Sequence, residues 1–119
     1  MPIIFQIAIG GALGAMLRYA VSVQMIRLAG PGFPWGTFCV NVVGSFLMGV
    51  LAALLLRRGD AGLSHLAPFL MTGILGGFTT FSAFSLETLV LIERGRPGLA
   101  LLYAGGSVAA GLAAVMAGI

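Results

Sequence analysis

Four long apolar stretches, separated by short clusters of glycine, proline and charge, set the layout of this chain. They run over about 3–28, 33–56, 66–92 and 99–119. At a rise of ~1.5 Å per residue, ~20 helical residues cross the ~30 Å hydrocarbon core of a bilayer, and each stretch is at least that long. The connectors are Gly30-Pro31-Gly32 with Pro34, then Arg57-Arg58-Gly59-Asp60, then Glu93-Arg94-Gly95-Arg96-Pro97-Gly98. The pattern predicts an all-α integral membrane protein, a single domain over 1–119 with four transmembrane helices. No basic region precedes the first apolar run and no small-residue cleavage site follows it, so the first span is expected to be retained.

The third stretch breaks its own pattern. Residues 76–87 read Gly-Gly-Phe-Thr-Thr-Phe-Ser-Ala-Phe-Ser-Leu-Glu, a poor composition for a lipid-facing helix. Bare backbone at bilayer depth is tolerated only where it is buried in protein or lines a cavity. The reading is therefore a third helix broken mid-membrane, with an ion, not lipid, against it. A break frees backbone carbonyls for a cation, and the following half-helix offers its N-terminal N–H groups. Phe81 and Phe84, at i and i+3, project from one face. Such rings serve packing, or turn their positive edges to an anion. Glu87 would be expensive against lipid, so it either joins a hydroxyl network or meets an arginine at a vestibule mouth.

Polar positions recur at helical spacing in the other spans. Thr37, Asn41 and Ser45 share one face of span two, with Gly44 beside them. A mid-membrane Asn joins helices, or offers two neutral amide donors to a desolvated anion; the spacing leaves both open. Tyr103 and Ser107 line up on span four, followed by Gly111 on the same face. Gly10 with Gly14, and Gly73 with Gly77, are small-residue pairs that let helix backbones approach. Arg18 continues the first pair's stripe; it snorkels to the interface or faces a water-filled vestibule, where it would attract anions, and the two are compatible if the vestibule opens near the interface.

Composition agrees with the pattern. The chain is 60% hydrophobic and 8% charged, where soluble domains carry about 25% charged residues. The net charge of +3 comes from scattered arginines with no basic stripe, which excludes a nucleic-acid surface. Single Cys39 and single His65 exclude an internal disulfide and a metal cluster, and no catalytic pair is present. With four spans, Arg57 and Arg58 lie on one side of the membrane and Arg27, Arg94 and Arg96 on the other. That near-balance removes the usual orientation bias and predicts insertion both ways up, with assembly as an antiparallel dimer.

Three segments together give the chain a family likeness. Residues 10–19 (GGALGAMLRY), 36–46 (GTFCVNVVGSF) and 76–87, one per span and in this order, resemble the small dual-topology fluoride channels called Fluc, or CrcB-type fluoride exporters. The resemblance covers nearly the whole chain. It implies an antiparallel, dual-topology homodimer in the bacterial inner membrane, with two pores that passively export fluoride from the cytoplasm. It further implies that Phe81 and Phe84 line the pores, that Asn41 donates to fluoride, and that Tyr103 and Ser107 form a hydroxyl track. Thr80 and Ser82, or Ser85, with Glu87 would shape the far end, and Arg18 would lie near the vestibule. Backbone carbonyls of Gly76 and Thr79 from both subunits would hold a structural Na+ on the two-fold axis. Gly111 departs from the family pattern, in which a second serine is common at that place. The rival four-span class, small multidrug–proton antiporters, needs an acid on span one, where this chain carries Arg18 and no acid. An accessory subunit would leave the polar stripes of spans two and four unexplained.

Overall fold

A computed structural model describes residues 1–58 and 64–119, with side chains over 1–55 and 64–119. Gly59 and Asp60 of the second connector, and the side chains of Arg57 and Arg58, lie outside what is described. The elements are α1 (Ile3–Ala29), α2 (Trp35–Arg58), the π-helix α3 (Pro68–Leu75), the single turn α4 (Gly76–Phe78), α5 (Ser82–Glu93) and α6 (Pro97–Gly118). The described residues hold four helical stretches long and apolar enough to cross a membrane: α1, Trp35–Leu55, the composite Pro68–Glu93, and α6. The fourth begins two residues earlier than the apolar run suggested, because Pro97 fits the first helical turn, where no N–H partner is required.

Helix ends follow their breakers. Gly30, at φ 79°, closes α1 with its N–H on the Ile26 carbonyl at 2.9 Å. At the end of α5, Gly95 takes φ 77°, and the N–H of Arg96 reaches back to the Leu91 carbonyl at 3.0 Å. This is the left-handed stop that glycine makes without steric penalty.

The bundle forms two tight seams, α1 against α3 and α4, and α2 against α6. The first runs along the predicted glycine pairs. A Cβ on Gly10 would sit 2.9 Å from the Gly73 Cα, and one on Gly77 would sit 2.6 Å from the Gly11 carbonyl oxygen. Backbone therefore lies on backbone, which only small residues permit. On the second seam, Gly49 meets the backbone of Val115 and Gly118 that of Phe46. Where α5 meets α6 there is a small core of Leu91, Ala100 and Tyr103, packed against Phe33, Phe38, Phe84 and Leu99.

The third span is broken as expected, within the Gly76–Thr80 run and two residues past Gly77. Gly76 and Gly77 are still helical; the chain leaves the helix at Thr79 (φ −88°, ψ 157°) and re-enters it at Ser82. The π-helix before the break carries no mark that helical periodicity could reveal.

Candidate functional site

The break is held open by side chains from two other helices. On α2, the Asn41 side-chain amide pairs with the backbone of Thr80: its Nδ2 donates to the Thr80 carbonyl at 3.0 Å, and its Oδ1 accepts from the Thr80 N–H at 2.8 Å. From α1, Arg18 Nε donates to the Gly77 carbonyl at 3.1 Å. The break also serves itself. Thr79 returns both its N–H (3.0 Å) and its hydroxyl (2.8 Å) to the Leu75 carbonyl. Thr80 Oγ1 accepts from the Ala83 N–H at 3.2 Å, capping α5 in the manner of an N-terminal threonine, and lies 3.3 Å from Ser82 Oγ.

Beside the break lies a cavity of about 480 Å3, walled by α2, the break and α6. Asn41, Gly76, Thr79, Thr80, Phe81, Phe84 and Ser107 all line it, with Ser45 and Gly111. The Asn41 amide has one hydrogen left after its bond to Thr80. Ser107 Oγ is buried and has no hydrogen-bond partner among the described residues. The Phe81 and Phe84 ring centroids are 5.8 Å apart at 46°. Phe84 packs against Tyr103, whereas Phe81 is 77% exposed on the single chain. Polar donors and aromatic rings thus meet in one place at mid-span, with no formal charge on the wall.

Glu87 belongs to a different wall. It lines a second cavity, about 280 Å3, between the end of α1, the Gly30–Pro34 connector and α5. Its Oε1 accepts from the buried Thr37 hydroxyl at 2.7 Å, and its Oε2 from the Tyr103 hydroxyl at a long 3.5 Å. Of the two expectations for Glu87, the hydroxyl network is the one the structure contains. Tyr103 is fully buried, between Phe33 (5.2 Å, 88°) and Phe84 (5.2 Å, 47°), and lines neither cavity. The aligned pair on α6 therefore divides: Tyr103 turns to Glu87, and Ser107 to the larger cavity.

Thr37 did not stand out as a site residue from the sequence, although it shared the Asn41 face. The missing signal was Glu87 itself, an acid mid-span that needed a donor opposite. Ser85 and Thr88 return their hydroxyls to the carbonyls four residues back (Phe81 at 3.0 Å, Phe84 at 2.8 Å) and are committed within α5. Arg18 lines neither cavity and forms no ion pair among the described residues. No group of three His, Cys, Asp or Glu occurs among the described residues.

Comparison with known proteins matches residues 5–119 to the family model "CrcB-like protein, Camphor Resistance (CrcB)". The chain belongs to the CrcB family. Among its relatives, the "Fluoride-specific ion channel FluC" of Cereibacter sphaeroides is 59% identical over 116 residues, covering 98% of this chain and 90% of the relative. A protein of the same name from Paracoccus denitrificans is 58% identical over 114 residues, 96% and 89% of the two chains. A third, from Agrobacterium fabrum, is 53% identical over 113 residues, 95% and 90%. With four membrane-capable helices, this CrcB chain is a multi-pass protein of the bacterial inner membrane, and its family is one of channels, not enzymes.

Proposed function

We propose that this chain is a fluoride-selective channel that passively exports fluoride from the cytoplasm and so relieves fluoride toxicity. It works as an antiparallel homodimer with two pores, each built from both copies. The observation that carries this reading is the larger cavity, where neutral donors and two phenylalanine rings share one wall. Fluoride is small and strongly hydrated, so a selective path must replace its water with several good donors in a narrow bore. The unpartnered Ser107 hydroxyl and the remaining Asn41 N–H are such donors, and the edges of Phe81 and Phe84 add weaker ones. Being neutral, they bind the ion without trapping it. Thr80, with Ser82 beside it, flanks the path at the break, and Glu87, held by Thr37 and Tyr103 outside the larger cavity, shapes the end that opens toward the smaller one.

The exposure of Phe81 beside a polar backbone break supports a second copy of the chain against this face. A structural Na+ fits the same place. The Thr80 N–H, which would close the next helical turn on the Gly76 carbonyl, donates to Asn41 instead. Gly76 is exposed, and Thr79 is extended, so its carbonyl also leaves the helical ladder. Two hard, neutral oxygens per chain become four across a two-fold axis, a donor set suited to Na+. Bound there, Na+ supplies a fixed positive charge that joins the two breaks.

The test is fluoride efflux from liposomes containing the purified protein in Na+, followed with a fluoride electrode and repeated with chloride. Fast fluoride release without matching chloride release is expected. No release from folded dimers would overturn the proposal.

A further inference from the structure

We propose that Arg18 is a positioning residue that acts through the donor geometry of its Nε: it pins the carbonyl at the end of the first half of the broken span. The inference rests on the channel reading for one of its two readouts only.

The argument starts from α1. Gly10 and Gly14 press the α1 backbone onto α3 and α4, down to Ile74 and Phe78. Arg18 is the next residue on that stripe, one turn beyond Gly14, and so stands where α4 runs out. A helix ends with carbonyls that have no intrahelical partner, at the negative end of its dipole. Here each has a distinct fate. The Leu75 carbonyl takes the amide and hydroxyl of Thr79. The Gly76 carbonyl loses its helical donor to Asn41. The Gly77 carbonyl takes Arg18 Nε at 3.1 Å.

That last bond matters because of what precedes it. Gly76 and Gly77 adjoin, and glycine backbones resist rotation less than any other. Without Arg18 the Gly77 carbonyl has no donor, and the turn that carries the Gly76 and Thr79 carbonyls is held only by its contact with the α1 backbone. Arg18 adds a directional bond to that contact.

Three substitutions separate donor from charge. Arg18→Gln places an amide nitrogen as many bonds from Cα as Arg Nε, without the charge. Arg18→Met has matching length and no donor. Arg18→Lys keeps the charge but puts a methylene where Nε was. Each variant is read by fluoride efflux from liposomes and by hydrogen–deuterium exchange of the 76–83 segment in the purified protein. We expect Gln to match the unmodified protein in both, and Met to slow efflux and speed exchange at the break by about tenfold, with other segments unchanged. Lys retaining efflux while Gln loses it would assign Arg18 to anion recruitment and overturn the proposal. So would Gln as impaired as Met, or Met without effect. If the unmodified protein releases no fluoride, the channel reading falls, and the exchange data still decide the role of Arg18.

Discussion

The Asn41 side chain and the Thr80 backbone form a closed two-bond ring, Nδ2 to carbonyl at 3.0 Å and N–H to Oδ1 at 2.8 Å. An amide side chain here takes the part of a neighbouring strand, and pairs with the one stretch of the third span that has no helical partner of its own. Asn41→Asp puts a second acceptor against the Thr80 carbonyl and a negative charge on the wall of the cavity. Both effects act against fluoride, so efflux should fall at least about tenfold, the equivalent of roughly 1.4 kcal/mol. Asn41→Leu, which strands the Thr80 N–H and carbonyl at a cost of about 1–3 kcal/mol each, should also lower the thermal unfolding midpoint. Efflux and unfolding in detergent, measured on both variants, separate the two contributions.

Phe81 is expected to behave differently. It is 77% exposed on the single chain, so Phe81→Ile opens no cavity within the subunit. Fold and dimer should survive, seen as an unchanged elution volume on size-exclusion chromatography, while efflux drops about tenfold or more. Unchanged efflux would remove Phe81 from the path.

The two hydroxyls on Glu87 should rank by their geometry. Thr37 donates at 2.7 Å and Tyr103 at 3.5 Å, near the limit at which a contact counts as a hydrogen bond. A short bond to a charged acceptor contributes roughly 1.5–3 kcal/mol, a stretched one much less. Thr37→Val should therefore lower the unfolding midpoint and the efflux rate more than Tyr103→Phe, which keeps the ring between Phe33 and Phe84. A larger effect from Tyr103→Phe would assign the carboxylate to the tyrosine.

Two glycines on α1, Gly11 and Gly14, offer a test of the seam. A Cβ on Gly14 would collide with the Ile74 carbonyl oxygen and lie 2.8 Å from the Phe78 N, and backbone cannot step aside. On Gly11 it would meet nothing within 4 Å. Gly14→Ala should destabilise the fold by about 1–3 kcal/mol through overpacking, whereas Gly11→Ala should be neutral or mildly stabilising. Thermal unfolding of the two variants side by side checks the contrast.

Much of this architecture was legible in the residue pattern, and the limit of that legibility has a physical cause. Length and apolarity set the four spans, and the run from Gly76 to Thr80 announced the break that begins within it, at Thr79. Spacing placed Asn41 and Ser107 on the faces that now line one cavity. Periodicity defines a face but not its neighbour. It could not say that Tyr103 and Ser107, on one stripe, would serve different partners. Nor could it say that Thr37 would meet Glu87, or Arg18 the carbonyl of Gly77. Those pairings depend on how helices cross, which is fixed by the glycine seams and the break together.

The broken span also constrains the order in which the protein can be built. The pieces before the break hold 8 and 3 residues and the piece after it 12, so neither half alone reaches across a ~30 Å hydrocarbon core. Exposed to lipid, the Thr80 N–H and carbonyl would have no partner to meet. Their partner, Asn41, and the Arg18 donor to the nearby Gly77 carbonyl arrive on the two helices synthesised earlier. Biogenesis is thus written into the chain order: the first two spans enter the bilayer as ready-made templates, and the third can settle only once both are in place to receive it.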